Sequence, residues 1–196
     1  MLTPVALADA ELQFDPTFLS PSRAAALLDT LRGAIAWETH RLRLFGREVA
    51  SPRLSCWIGD AGAAYVYSGT RFEPRPWPPG LPALREELSA ISGERFNSVL
   101  ANLYRDGADS MGWHSDDEPE LGPRPVIASL SLGATRRFLL KHRRQAGPRL
   151  ALDLSAGSLL LMRGETQAHY RHALPKTRRA VGERINLTFR RILAAD

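Results

Sequence analysis

After Gly93 the chain is cut into short apolar-rich segments: Asn97 to Tyr104, Pro125 to Leu132, Arg137 to Lys141, Leu150 to Leu154, Ser158 to Met162, His169 to Leu174 and Arg184 to Arg190, each bounded by Gly, Pro, Asp or Ser. Such segments read as β-strands, because their bounding residues supply the backbone angles and local hydrogen bonds that make turns. Before Gly93 two stretches have the period of helices. Ser20 is placed to cap a helix from Pro21 to about Gly33, striped by Ala24, Leu27, Leu28 and Leu31. Leu84, Leu88 and Ile91 mark a second, from about Leu81 to Ser92, which Gly93 ends. Helices followed by many short strands predict a mainly β fold with some α: a jelly-roll or cupin-like double sheet, a double-stranded β-helix, with the N-terminal helices packed outside. A length of 196 residues, 44% of them hydrophobic, suits a single domain over residues 1–196.

Charge and cysteine use narrow the function classes. Lys+Arg outnumber Asp+Glu by 26 to 21, for a formal charge of +5, which favours a polyanionic partner over a basic one. Cys56 is the single cysteine, so an intrachain disulfide and a cysteine-based zinc cluster are excluded, and a reducing cytoplasm is expected. No stretch approaches the 18 or more apolar residues of a membrane helix, so a soluble chain without a membrane partner is expected.

Two segments alternate in a way that bears on chemistry, since successive side chains of a strand point to opposite faces. In Arg184 to Arg190, Ile185, Leu187 and Phe189 share one face while Arg184, Asn186, Thr188 and Arg190 share the other. In Asn97 to Tyr104, Asn102 and Tyr104 oppose Val99, Ala101 and Leu103. An amphipathic strand with a solvated side gives the same pattern. His114 and Asp116, two apart, would point the same way on extended backbone and could share a metal; a turn with an exposed histidine is the alternative. A second histidine would complete the two-His, one-carboxylate set that suits non-haem Fe(II). His142, His169 and His172 are the candidates. His169 lies three residues before His172 and so faces the other way on a strand, while His142 belongs to the basic run KHRR.

Order and spacing bring these together, and here the sequence resembles the AlkB family of Fe(II)- and 2-oxoglutarate-dependent dioxygenases. LANLYRDGADSMGWHSDDE is similar to the family's iron-binding region, HALP to the segment bearing its second histidine, and RINLTFR to its terminal signature. The similarity reaches back through AAYVYSG and LFGREVASPR, covers roughly Leu42 to Ile192, and is nearest to the duplex-DNA-acting branch. It implies His114, Asp116 and His172 as catalytic iron ligands, and 2-oxoglutarate contacts from Asn102, Tyr104, Arg184, Asn186, Thr188 and Arg190, with Arg190 gripping the distal carboxylate. It further implies Fe(II), 2-oxoglutarate and O2 as cofactor and co-substrates. The reaction implied is oxidative demethylation of 1-methyladenine and 3-methylcytosine in DNA, releasing formaldehyde, succinate and CO2; RNA, protein or a small molecule are the alternative substrates of the same iron site. On this reading residues 1–93 form a scaffold and nucleotide-recognition part and about 94–193 the β-helix core, in a monomer.

On the substrate side the resemblance implies a pocket of Tyr65, Tyr67, Ser68 and Asp117, because methylation leaves these bases cationic and an aromatic face beside a carboxylate suits a cation. A buried base must leave its stack to be reached, and Phe45 in Leu44-Phe45-Gly46 resembles the wedge that duplex-acting relatives insert. Two tyrosines two apart also suit one face of a half-buried strand, and a Phe-Gly pair suits an ordinary turn. Arg136, Arg137, Lys141, Arg143, Arg144, Lys176, Arg178 and Arg179 are the expected phosphate contacts.

Overall fold

A computed structural model describes residues 1–39, 41–44, 47–67, 70–145, 147 and 149–193, with the side chains of 41–48 and 65–72 outside that description. In chain order the elements are β1 (Thr3–Val5), β2 (Glu11–Asp15), α1 (Pro21–Ala34), β3 (Arg41–Leu44), β4 (Arg47–Ala50), β5 (Leu54–Gly59), β6 (Tyr65–Tyr67), β7 (Thr70–Phe72) and α2 (Leu81–Ser92). There follow β8 (Ser98–Tyr104), β9 (Met111–His114), a 3₁₀ turn at Pro119–Leu121, β10 (Ile127–Gly133), β11 (Arg136–His142), β12 (Leu150–Leu154), β13 (Leu159–Arg163), the short α3 (Thr166–His169), β14 (Tyr170–Leu174) and β15 (Arg184–Arg190).

Local chemistry sets the helix ends as expected. The Ser20 side chain accepts from the Arg23 N–H at 3.3 Å, capping α1, and Gly93 closes α2 with φ 72°, a left-handed angle that glycine adopts without a Cβ clash. Every predicted strand is present, and the stretch after Gly93, expected to hold strands joined by turns, also contains the 3₁₀ turn and α3. Strand β9 is new; it is four residues long and contains Gly112, too short to show a period.

The strands form a seven-stranded sheet ordered β1-β2-β13-β10-β15-β8-β5 and a four-stranded sheet ordered β12-β11-β14-β9, with two further hairpins, β3-β4 and β6-β7. Together they make the expected mainly β jelly roll. Because β1, β2 and β5 hydrogen-bond into the large sheet, the division expected near residue 93 is not a boundary in the fold, and the segment before His40 is more than scaffold around it.

The large sheet is buried on both faces, which explains the alternation in β15. Ile185, Leu187 and Phe189 pack with Val99, Leu130 and helix residues Leu31, Leu84 and Leu88. The opposite face meets the small sheet through Leu12, Ile127, Phe138, Leu140, Leu160 and Tyr170. Every residue of β15 is buried, so its polar side is enclosed between two sheets. Fully burying one such aliphatic side chain contributes about 1.5–3 kcal/mol, enough in aggregate to hold costly polar groups in place.

Candidate active site

Paired strands β9 and β14 set His114 directly opposite His172. The two Nε2 atoms are 3.1 Å apart, and Asp116 Oδ1 lies 3.6 Å from that of His114 and 4.0 Å from that of His172. His114 Nδ1 lies 2.9 Å from the Gly112 carbonyl, so it carries the proton and Nε2 keeps its lone pair. Burial pushes His172 down to about 3 and lowers His114 as well, so both rings are neutral at ordinary pH. Burial alone would raise the Asp116 carboxyl, but the Arg190 guanidinium beside it leads the interactions that hold it at about 2. Two neutral imidazoles and one carboxylate therefore converge on one point, the donor set a divalent transition metal takes.

His169 and His142 are not part of that point. They lie together elsewhere, with Asp9 Oδ2 3.6 Å from His142 Nε2. His142 Nδ1 accepts the backbone N–H groups of Arg144 and Gln145, at 3.1 and 2.8 Å, so its Nε2 carries the proton and offers a metal no lone pair.

The enclosed polar face continues away from the histidines. A cavity is lined by Asn102, Tyr104, Arg184, Asn186, Thr188 and Arg190, all six residues expected at the co-substrate, along with the three converging donors. Arg184 is 1% exposed; its Nη2 donates to Ser131 Oγ at 2.8 Å and Asn186 Oδ1 at 2.7 Å, and Asn186 Nδ2 donates on to Thr188 Oγ1 at 2.8 Å. Burial pushes the Arg184 guanidinium down to about 10, and its Nε finds no hydrogen-bond partner. Among the described residues no carboxylate pairs with it. A buried cation left this way is unfavourable unless an anion joins it.

One expectation changes. Arg190 does not sit where a distal carboxylate would need it: its Nη2 is 2.9 Å from Asp116 Oδ2, so its charge is matched at the histidine end. Arg184 stands at the opposite end of the strand face, roughly 20 Å along β15 at about 3.3 Å per residue. The residue at the far end of the cavity is therefore Arg184, facing the Tyr104 ring at 5.3 Å.

Several site residues escaped the sequence reading. Gln167 Oε1 accepts the Asp116 backbone N–H at 3.0 Å, and Arg53 Nε donates to Asn102 Oδ1 at 2.7 Å. Ser129 and Ser131 on β10 complete the Arg184 network; their spacing of two in ASLSLG was the signal that could have found them. Gln167 and Arg53 had none, since Gln167 sits on the four-residue α3 and Arg53 just ahead of β5, stretches too short to show a period.

Of the expected base pocket, Asp117 does not line the cavity. Its carboxylate turns to Arg143 Nη1 at 2.7 Å in an adjoining cleft. Phe45, Ser68 and the side chains of Tyr65 and Tyr67 lie outside the described residues. Of the expected phosphate contacts, Arg136 is withdrawn: it is 3% exposed and donates to the Asp106, Asp109 and Pro175 carbonyls. Arg137 is paired with Asp153.

Comparison with known proteins agrees with this geometry. The profile of the 2OG-Fe(II) oxygenase superfamily matches residues 11–190. The chain is 42% identical over 168 residues to DNA oxidative demethylase ALKBH2 of Mus musculus, covering 82% of this chain and 69% of that protein. It is 39% identical over 186 residues to alpha-ketoglutarate-dependent dioxygenase alkB homolog 3 of Homo sapiens, covering 90% and 64%. The chain thus spans about two thirds of the length of the curated relatives it matches. Among solved structures, OsALKBH1 superposes with a TM-score of 0.65 at 15% identity, over 97% of this chain and 100% of that one. A Pseudomonas putida prolyl-4-hydroxylase gives 0.61 at 18% identity, over 92% of each. At such identities the two structures speak for the fold alone.

Proposed function

The chain belongs to the 2OG-Fe(II) oxygenase superfamily, and on that premise we infer that it removes methyl groups oxidatively from alkylated DNA bases such as 1-methyladenine and 3-methylcytosine. The observation that carries this reading is one cavity with a two-His, one-carboxylate cluster at one end and, at the other, a buried guanidinium that no carboxylate among the described residues pairs with. A relative whose name specifies DNA oxidative demethylation supplies the substrate class.

The residues fit the group the family uses. His114, Asp116 and His172 would hold Fe(II), and Arg184 with Tyr104 and Asn186 would hold the distal carboxylate of 2-oxoglutarate, taking over the role first expected of Arg190. Iron with 2-oxoglutarate and O2 supplies the oxidation of the N-methyl carbon, whose products are the repaired base, formaldehyde, succinate and CO2. The chain's own contribution is placement. Arg190 keeps Asp116 ionised and fixes one of its oxygens, leaving Oδ1 toward the histidines. The proton on His114 Nδ1, held by the Gly112 carbonyl, fixes the tautomer that presents Nε2. Phe138, its ring 5.2 Å from that of His172, with Met111 and Leu174, gives the cavity apolar walls that limit water. No side chain need act as a strong acid or base.

Formaldehyde release from an oligonucleotide carrying 3-methylcytosine should require Fe(II), 2-oxoglutarate and O2 together; release that persists without any one of them refutes the assignment. Arg184→Met should raise the KM for 2-oxoglutarate at least tenfold, the scale of about 1.4 kcal/mol for removing a charge-assisted hydrogen bond. It should cost little folding stability, because the buried charge goes too.

A further inference from the structure

Beside the active site lies a second, open cleft, and its walls are not neutral. Four arginines, Arg124, Arg143, Arg144 and Arg171, line it against two carboxylates, Asp117 and Glu165. The carboxylates are already taken: Asp117 pairs with Arg143 and Glu165 with Arg124. Arg144 and Arg171 have no carboxylate partner among the described residues. Arg171 also stands directly across the β11–β14 ladder from Lys141, a like-charge pair that is unfavourable until an anion lies over it. Lys141 turns onto the Trp113 ring, its Nζ 4.3 Å from the ring centre, which leaves Arg171 facing outward.

The cleft and the active site share a wall. Gln167 lines the cleft while its side chain holds the Asp116 backbone N–H, and Asp117, also in the cleft, follows Asp116 in the chain. A base presented to the metal-binding cluster would bring its flanking phosphates to this wall, since successive phosphates on one strand are only about 3.4 Å apart along a helix axis. We propose that this cleft carries the sugar–phosphate backbone of the strand bearing the target base, with Arg144 and Arg171 as its phosphate contacts. The proposal rests on the oxidative demethylase reading and adds where the strand runs. Guanidinium groups suit the task, as two parallel N–H donors match two phosphate oxygens.

The test is steady-state formaldehyde release over a series of salt concentrations from two substrates: a single-stranded oligonucleotide with one internal 3-methylcytosine, and the phosphate-free 3-methylcytosine nucleoside. Arg144→Gln combined with Arg171→Gln should raise the oligonucleotide KM several-fold with kcat unchanged. The log–log dependence of kcat/KM on salt should become shallower by about 0.7 for each phosphate that is no longer neutralised. Turnover of the nucleoside should not change, which also shows that the variant is folded. Arg23→Gln combined with Arg32→Gln on α1 removes the same charge elsewhere and should leave both substrates unaffected. An unchanged oligonucleotide KM and salt slope in the cleft variant, or an equal change in the α1 variant, overturns the proposal. If the unaltered enzyme releases formaldehyde from neither substrate, the demethylase reading fails instead. Binding of the same oligonucleotide by fluorescence anisotropy then still decides the cleft, by whether the cleft variant alone binds more weakly.

Discussion

Two arginines on one strand face carry opposite duties because their neighbours differ. Arg190 meets a carboxylate with which it is buried, so Arg190→Leu leaves Asp116 charged and uncompensated, a loss of about 3–5 kcal/mol for breaking a buried pair from one side. Thermal unfolding of the variant should show that loss in the apoprotein and its partial recovery with Mn(II), because a divalent cation replaces the missing charge. Equal losses with and without the ion would mean that Asp116 does not face the metal. Cys56 is a plainer case. Burial first, then Glu38, pushes its thiol up to about 11, so native protein at neutral pH should react with iodoacetamide far more slowly than unfolded chain, as mass spectrometry would read.

At the scale of elements, β15 determines the site because it is central to the large sheet, with β10 on one side and β8 on the other. Its odd-numbered residues bind it to the helices and its even-numbered ones furnish the cavity. Leu187→Ala should therefore cost about 2–5 kcal/mol in urea unfolding, the usual range for a leucine cavity in a core. Ser20→Ala, which strips a cap from α1, should cost only about 1 kcal/mol. Helices α1 and α2 and strand β15 were legible in the sequence because their periods are long enough to count. β1 and β2 were not: Thr3–Val5 and Glu11–Asp15 are short and lack clear alternation, and they are strands because β13 offers β2 an edge to pair with. A short strand of that kind is decided by its partner.

Across the whole molecule, the turn between β8 and β9 ties the two sheets together. Asp109 accepts from the Arg105 side chain and backbone N–H, and Arg136 of β11 donates to the Asp109 and Pro175 carbonyls. Burial pushes the Asp109 carboxyl up, but Arg105 outweighs it and the net shift is below the ordinary 3.8. A carboxylate whose pKa is lower folded than unfolded contributes its full stability above the unfolded value, and that contribution is lost as pH falls through the folded one. Acid unfolding of Asp109→Asn should accordingly lack part of the stability loss seen below 3.8 in the unaltered protein.

The amino-acid order by itself determined which groups could do the chemistry: His114 and Asp116 two apart, and a polar row Arg184, Asn186, Thr188, Arg190 on one strand face, whereas His172 was singled out from His142 and His169 only by the resemblance of HALP. These are local facts, fixed by a side-chain period of two that needs no neighbour to hold. Only the tertiary structure decided what each charge meets. Arg190 is matched by Asp116, Asp117 is turned to Arg143, and Arg184 is left among hydroxyls and an amide, all through partners distant in the chain. Coulomb attraction falls with distance through space, which sequence separation does not measure, so the roles of identical arginines could be told apart only once the sheets had brought their neighbours beside them.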